Sequence, residues 1–251
     1  MSTQRQQPET ESETDSAETE TAKDRRLDEK RRRAEERERK RVEAEERAAA
    51  DAERYHLKVF RYDPEVEGKQ EPRFDDFHVP YEPGMTVLDA LIYARDQFDA
   101  SLTFRHSCRQ AICGSDALFV NGSQRLGCQT QLSDLDQPVR IEPLPHSEVV
   151  KDLVVDMEHF YDQMESVEPY FQTTNRPEGE LEEQRQSREN REKIKKSTRC
   201  IWCGACMSSC NIAAGDNEYL GPAAINKAYR FAMDEREGGG RQRVSRPGGD
   251  Q

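Results

Sequence analysis

"SCRQAICGSDALFVNGSQRLGC", residues 107–128, sets Cys108, Cys113 and Cys128 about an aspartate, Asp116. Four residues separate Cys108 from Cys113, two separate Cys113 from Asp116, and eleven separate Asp116 from Cys128. The other cysteines, Cys200, Cys203, Cys206 and Cys210, crowd into "CIWCGACMSSC" at 200–210, giving seven in all. An odd number in two tight groups fits metal ligation by thiolates in a reducing compartment better than a disulfide framework. The opening "MSTQRQQPETESETDSAETE" has no apolar stretch of the secretory kind. Disulfides stay open as the alternative, although cysteines two residues apart would close strained rings.

The spacing of the first group decides which metal. From Cys108 to Asp116 it follows the C-x4-C-x2-C…C run of plant-type 2Fe–2S proteins, with aspartate in third place. A loop wrapped on a two-iron rhomb must offer donors to both irons and aim backbone N–H groups at the sulfides. Gly114 and the small Ser115 allow that close approach, and Cys128 arrives from a neighbouring strand. A carboxylate is a harder donor than a thiolate, so Asp116 as a ligand would favour ferric iron and make binding depend on pH. The other role open to Asp116 is to cap a turn. Zinc sites pair C-x2-C units, a poor match here. A Rieske-type centre needs two histidines, and His106 has no second partner at the required spacing, so it is expected on the loop surface. No Ser, His and Asp arrangement emerges, and no catalytic residue is assigned. In the second group, C-x2-C-x2-C-x3-C is the bacterial cluster run, whose first three thiolates face one cubane while the fourth serves another cluster.

Around these groups the chain divides by composition. Hydrophobic residues make up 33% and charged residues 35%, so the core occupies only part of the length. A net charge of −12 argues against nucleic acid as a partner, because phosphate binding needs excess Lys and Arg. No apolar run approaches the about 20 residues of a membrane span. Residues 1–54 form a charged, low-complexity extension, disordered or helical. Between Met1 and Ala52 only Leu27 and Val42 are large and apolar, too few to bury a face, while Glu–Arg pairs at helical spacing support a solvated helix. Residues 55–66 and 73–82 alternate apolar and polar side chains around the turn signals of "EGKQEP", which predicts a hairpin. Residues 85–98, "MTVLDALIYARDQF", predict a helix capped by Thr86 with Asp89 three positions on. "ALFVNG" and "PVRIEPLP" read as strands, the first ending in a turn. Beyond Pro145 the pattern turns helical. "KDLVVDMEHFYDQMESVEPYF" predicts a helix with Leu153, Val154, Met157, Phe160, Tyr161 and Met164 on one side. Residues 175–196 read as a surface connection plus helix, and "GPAAINKAYRFAMDERE" as a helix with Pro222 near its start.

Four motifs in order, "RHSCRQAICGSDALFVNG…C", "KDLVVDMEHFYDQM", "CIWCGACMSSC" and "GPAAINKAYRFAMDERE", resemble the iron–sulfur subunit of succinate dehydrogenase and fumarate reductase over about residues 55–237. The resemblance implies an α+β chain: a β-grasp 2Fe–2S ferredoxin-type domain at 55–147, then an all-helical 4Fe–4S ferredoxin-type domain at 148–237, with a disordered tail at 238–251. It implies that Cys108, Cys113, Asp116 and Cys128 ligate 2Fe–2S, that Cys200, Cys203 and Cys206 hold 4Fe–4S, and that Cys210 serves 3Fe–4S. The implied partners are an FAD-bearing flavoprotein that oxidises succinate and membrane-anchor (cytochrome b) subunits with a quinone site. The implied location is the cytoplasmic face of the plasma membrane, peripheral through those subunits.

Two departures bear on activity. The fourth cysteine of the family's run is normally followed by proline and an aromatic stretch near the quinone, whereas this chain continues "CNIAAGDNEY". The family also supplies further cysteines and a quinone-side histidine beyond the last helix, and none follows here. The Gly- and Arg-rich ending is therefore expected to reflect a truncated or frameshifted reading frame, with incomplete ligand sets for the 4Fe–4S and 3Fe–4S clusters. Function classes left open are succinate oxidation, fumarate reduction or a related iron–sulfur subunit, a zinc-binding interaction module, and a nonfunctional product.

Overall fold

The computed structural model describes residues 29–33, 35–40, 54–172 and 183–238. The chain divides into two compact units between Glu53 and Arg54. In the first, the described residues are helical and exposed. Glu29 pairs with Arg33 at 2.5 Å and Glu36 with Lys40 at 2.8 Å, the i,i+4 spacing that supports a solvated helix. The remainder of the expected extension and most of the expected tail lie outside the described residues.

The second unit is built on a five-stranded sheet. Strands β1 (Arg54–Arg61) and β2 (Arg73–Pro80) form the predicted antiparallel hairpin, Leu57 opposite Phe77. Strand β3 (Ala117–Val120) turns into β4 (Ser123–Leu126) through Asn121 and Gly122, both at positive φ. That is the two-residue Asn-Gly hairpin whose backbone twist matches the strands. Strand β5 (Val139–Glu142) lies parallel to β1 and antiparallel to β3, giving the order β2-β1-β5-β3-β4. Helix α1 (Val87–Gln97) starts as predicted. Thr86 Oγ1 accepts from the Asp89 backbone, and the Asp89 carboxylate accepts from the Thr86 N–H, a reciprocal capping box. Its buried face, with Val87, Leu91 and Ala94, meets Leu57, Val59 and Val120 of the sheet in one core.

The long helix expected from Lys151 onward is not formed at its start. Strands β6 (Val149–Lys151) and β7 (Val154–Val155) make a small antiparallel hairpin, and α2 spans only Glu158–Ser166. Two causes oppose the helix. The branched Val154 and Val155 favour extended backbone, and Asp152 sits at φ 46° with its carboxylate occupied elsewhere. Asp152 is 1% exposed and accepts from Arg61 Nε at 3.0 Å, from the Tyr62 N–H and from the Thr103 N–H. Of the face expected on that helix, Met157, Phe160 and Met164 are buried, but Tyr161 is exposed. Leu153 belongs to the core under α1 instead.

Short helices follow: α3 (Arg188–Ile194), α4 (Ala205–Ser208), α5 (Asn211–Gly215) and α6 (Gly221–Ala232), the last with the predicted early proline. Helices α2, α4 and α6 close over a second core of Leu144, Val155, Phe160, Met164 and Ala224. A side-chain bond from Gln124 Nε2 on β4 to the Ser208 carbonyl, 3.2 Å, joins this helical half to the sheet.

Candidate metal centre

The first cysteine loop leaves α1 through Thr103 and curls between residues 108 and 114. The curl depends on three left-handed residues: Arg109 at φ 57°, Ala111 at 54° and Gly114 at 70°. For Arg109 and Ala111 this backbone costs about 1–2 kcal/mol each. The result is an inward ring of donors. The N–H groups of Gln110, Ile112 and Cys113 each lie 3.3 Å from Cys108 Sγ, and the Ala111 N–H lies 3.3 Å from Cys128 Sγ. Cys113 Sγ accepts from the Cys108 and Ser115 N–H groups at 3.5 Å. Successive N–H groups turned to one side make an anion-binding concavity.

Cys128 is held by the sheet and by α1 together. The Gly127 N–H donates to the Asp116 carbonyl at the end of the β3–β4 ladder, and the Gly127 carbonyl accepts the Leu88 N–H from the first turn of α1. Asp116, 2% exposed, reaches across that ladder end, and its Oδ2 accepts the Cys128 N–H at 2.5 Å. Its Oδ1 is buried with no hydrogen-bond partner. A buried carboxylate oxygen without a donor is costly, and a metal ligand role answers it.

The electrostatics separate the thiols. Hydrogen bonds from the Ser115 hydroxyl and from the Cys108 and Ser115 backbone pull Cys113 down to about 7. Burial, and then the Asp116 carboxylate beside it, push Cys128 up to about 11. The structure thus brings Cys108, Cys113, Asp116 and Cys128 together, with donors preset for negative sulfur and one bare acceptor. These residues fit a 2Fe–2S group. His106 is half-buried against Phe104 rather than on the loop surface, its ring 5.3 Å from the phenyl centroid.

The second run turns on two left-handed residues, Trp202 at φ 61° and Gly204 at 79°, with Gly204 leading into α4. Cys200, Cys203 and Cys206 line one mainly apolar cavity of about 440 Å³, closed by Phe160, Pro222 and Ala223. Cys206 is exposed as a residue, yet desolvation of its thiol, followed by the charges of Cys203 and Cys200, raises its pKa. Cys210 is not among the residues lining that cavity; it precedes α5 and donates its N–H to the Met207 carbonyl. Among the described residues no three His, Cys, Asp or Glu side chains converge as a single ion would require.

Sequence reasoning missed the contact between the two runs. A Cβ on Gly114 would stand 2.7 Å from Cys203 Cβ and 2.9 Å from the Ile201 carbonyl oxygen. Gly114, expected to let its loop close on the cluster, also packs directly against the second loop. It also missed Arg109 and Ala111, whose left-handed backbone carries no compositional mark.

The chain is similar to known proteins. A family model described as "2Fe-2S iron-sulfur cluster binding domain" matches residues 56–162. The chain is 37% identical over 206 residues to the fumarate reductase iron-sulfur subunit of Haemophilus influenzae, covering 78% of this chain and 80% of that protein. It is 40% identical over 192 residues to the fumarate reductase iron-sulfur subunit of Mycobacterium tuberculosis, covering 76% and 77%. It is 41% identical over 184 residues to the succinate dehydrogenase iron-sulfur subunit of Paracoccus denitrificans, covering 72% and 69%. A chain of the Mycobacterium smegmatis Sdh1 complex in the apo form shares the fold, with TM-score 0.66 and 23% identity over 77% of this chain and 80% of that one.

Proposed function

The chain belongs to the family of iron–sulfur subunits of succinate dehydrogenases and fumarate reductases, and from that premise we propose that Cys108, Cys113, Asp116 and Cys128 hold the 2Fe–2S cluster of an electron relay. The observation that carries the ligand set is the bare Oδ1 of buried Asp116 beside the Cys128 thiol. When bound, the cluster takes up and releases one electron at a time.

The protein's own contribution is the setting. Six N–H to sulfur contacts offset charge on the thiolates before metal arrives, so little reorganisation accompanies each change of charge. Asp116 divides its labour: Oδ2 stays on the Cys128 N–H while Oδ1 remains for iron. Cys200, Cys203 and Cys206 supply thiolates to a 4Fe–4S cluster in the apolar cavity, and Cys210 turns away to serve a 3Fe–4S cluster. Residues 55–147 act as the ferredoxin-type domain and 148–237 as the helical cluster domain, with the 149–155 hairpin as the join.

Substrate chemistry lies on a flavoprotein partner, and electrons pass between its flavin and quinone at membrane-anchor subunits. Among the described residues no helix is long and apolar enough to cross a membrane. In this reading attachment at the cytoplasmic face of the plasma membrane runs through those anchors. The relatives include both succinate dehydrogenase and fumarate reductase subunits, so either direction of the substrate reaction suits the reading.

The test is electron paramagnetic resonance of anaerobically reconstituted protein after dithionite. The parent is expected to give a 2Fe–2S signal that moves in its g-values in Asp116→Cys and is lost in Cys128→Ala. A colourless, silent parent would overturn the assignment. An unmoved signal in Asp116→Cys would remove Asp116 from the ligand set.

A further inference from the structure

We infer that Gly114 is a spacing residue, which seats the first cysteine loop directly on the second so that the path from Cys113 to Cys203 crosses a single non-bonded gap. The inference rests on the cluster reading above and adds to it a place of contact.

Gly114 is buried, follows the ligand Cys113, and faces the ligand Cys203, 89 positions later in the chain. The space that a side chain would need is already filled. An added Cβ would meet Cys203 Cβ at 2.7 Å, Cys203 Cα at 2.9 Å and the Ile201 oxygen at 2.9 Å. Two of these three atoms are backbone, which cannot swing aside as the end of a flexible side chain can. The loops must therefore part to admit even a methyl group. No other described glycine brings the two runs together in this way: Gly127 faces Asp116, Leu118 and Leu88, and Gly204 faces Met157 and Leu144.

The route reads atom by atom. From Cys113 Sγ it runs through bonds to the Gly114 Cα, crosses one van der Waals gap to Cys203, and ends on Cys203 Sγ. With both groups bound, these residues would carry one electron between the two loops, one group being oxidised as the other is reduced, and no bond would form or break and no proton would move. The electron would come from the partner flavin in succinate oxidation and from the quinone side in fumarate reduction.

Gly114 also needs its left-handed backbone, so a substitution there strains the chain whatever the space. Gly122 separates the two effects, because it has φ 80° and nothing within 4 Å of a Cβ. Gly114→Ala and Gly122→Ala carry the same backbone penalty, and only the first wedges the loops apart. Gly114→Asn is a third variant, since asparagine tolerates the left-handed region and so meets the same wedge with less backbone strain.

The full chain, reconstituted anaerobically with iron and sulfide, is reduced with dithionite. The microwave-power saturation of its 2Fe–2S resonance then reports how closely a second paramagnet sits. The parent and Gly122→Ala are expected to relax fast. In Gly114→Ala or Gly114→Asn the 2Fe–2S signal that remains should saturate at several-fold lower power. Equal saturation in all four proteins would overturn the inference while the 2Fe–2S signal itself stands. Slow relaxation in a parent whose iron content shows the second group to be loaded would overturn it as well. A parent without the 2Fe–2S line shape, or without iron in the second group, would fall on the ligand assignment instead.

Discussion

Replacing Arg61 by methionine tests whether the sheet is pinned where the structure places the pin. The Arg61 side chain is 2% exposed and reaches four groups: Asp152 at 3.0 Å, Asp99 at 2.7 Å, Asp75 at 3.2 Å and the Ser101 hydroxyl at 2.8 Å. Asp75 and Asp99 are about a third exposed, so each pair contributes at most about 1 kcal/mol. Asp152 is different. At 1% exposure it keeps only the Tyr62 and Thr103 N–H groups once the guanidinium is gone. Breaking a buried pair from one side costs about 3–5 kcal/mol, and those two remaining donors place Arg61→Met at the lower end. For a unit of this size about 1 kcal/mol moves the melting midpoint by about 2–4 °C, so a fall of about 6–12 °C is expected. The assay is calorimetric unfolding of parent and variant at matched iron content. Arg61→Met with Asp152→Asn, which removes the stranded charge, should recover at least half of the loss. A single variant melting within about 2 °C of the parent, or a double variant worse than the single, would refute the reasoning.

Three further outcomes follow from the same structure. Removing the capping hydroxyl in Thr86→Ala should cost about 1 kcal/mol, read as a lower urea midpoint with unchanged slope, since Thr86 and Asp89 bond reciprocally at the start of α1. Asp99, held down first by the Ser101 hydroxyl and then by Arg61, and Asp234, held down first by Arg236, both lie below the ordinary carboxylate range. Their contribution is complete above the unfolded-chain value of about 4 and fades as pH falls below it, so circular dichroism should show stability dropping there; a rise on acidification would contradict this. Trp202 is the sole tryptophan and lines the cavity of the second run. Its emission should be quenched on iron–sulfide loading in the parent and in Cys113→Ser, and should stay bright in Cys203→Ser.

Much of this was legible in the residues because the signals are local. The Thr86–Asp89 cap, the Asn-Gly turn and the two cysteine spacings each lie within 21 consecutive residues, where turn chemistry and period act directly. What escaped was set by distant partners. Nothing near Asp152 announces that its carboxylate will be consumed by Arg61, 91 positions away, so a helical period running through it was read as one helix. The left-handed turns at Arg109 and Ala111 are likewise imposed by what the loop must surround, against their own preference. Gly114 was legible as a residue of close approach, but nothing local marks the second loop, 89 positions on, as what packs against it.

Strand β3 carries a load that its four residues do not advertise. Ala117 packs into the core beneath the helices, while its neighbours Leu118 and Val120 pack into the core beneath α1. A shift of one position along the β4 ladder would invert both assignments at once, and would pull Asp116 out of reach of Cys128. Insertions that other hairpins absorb as a longer turn have no slack to draw on here. Lengthening of the chain is best tolerated at the Gly122 tip, where the backbone has room and neither core is disturbed.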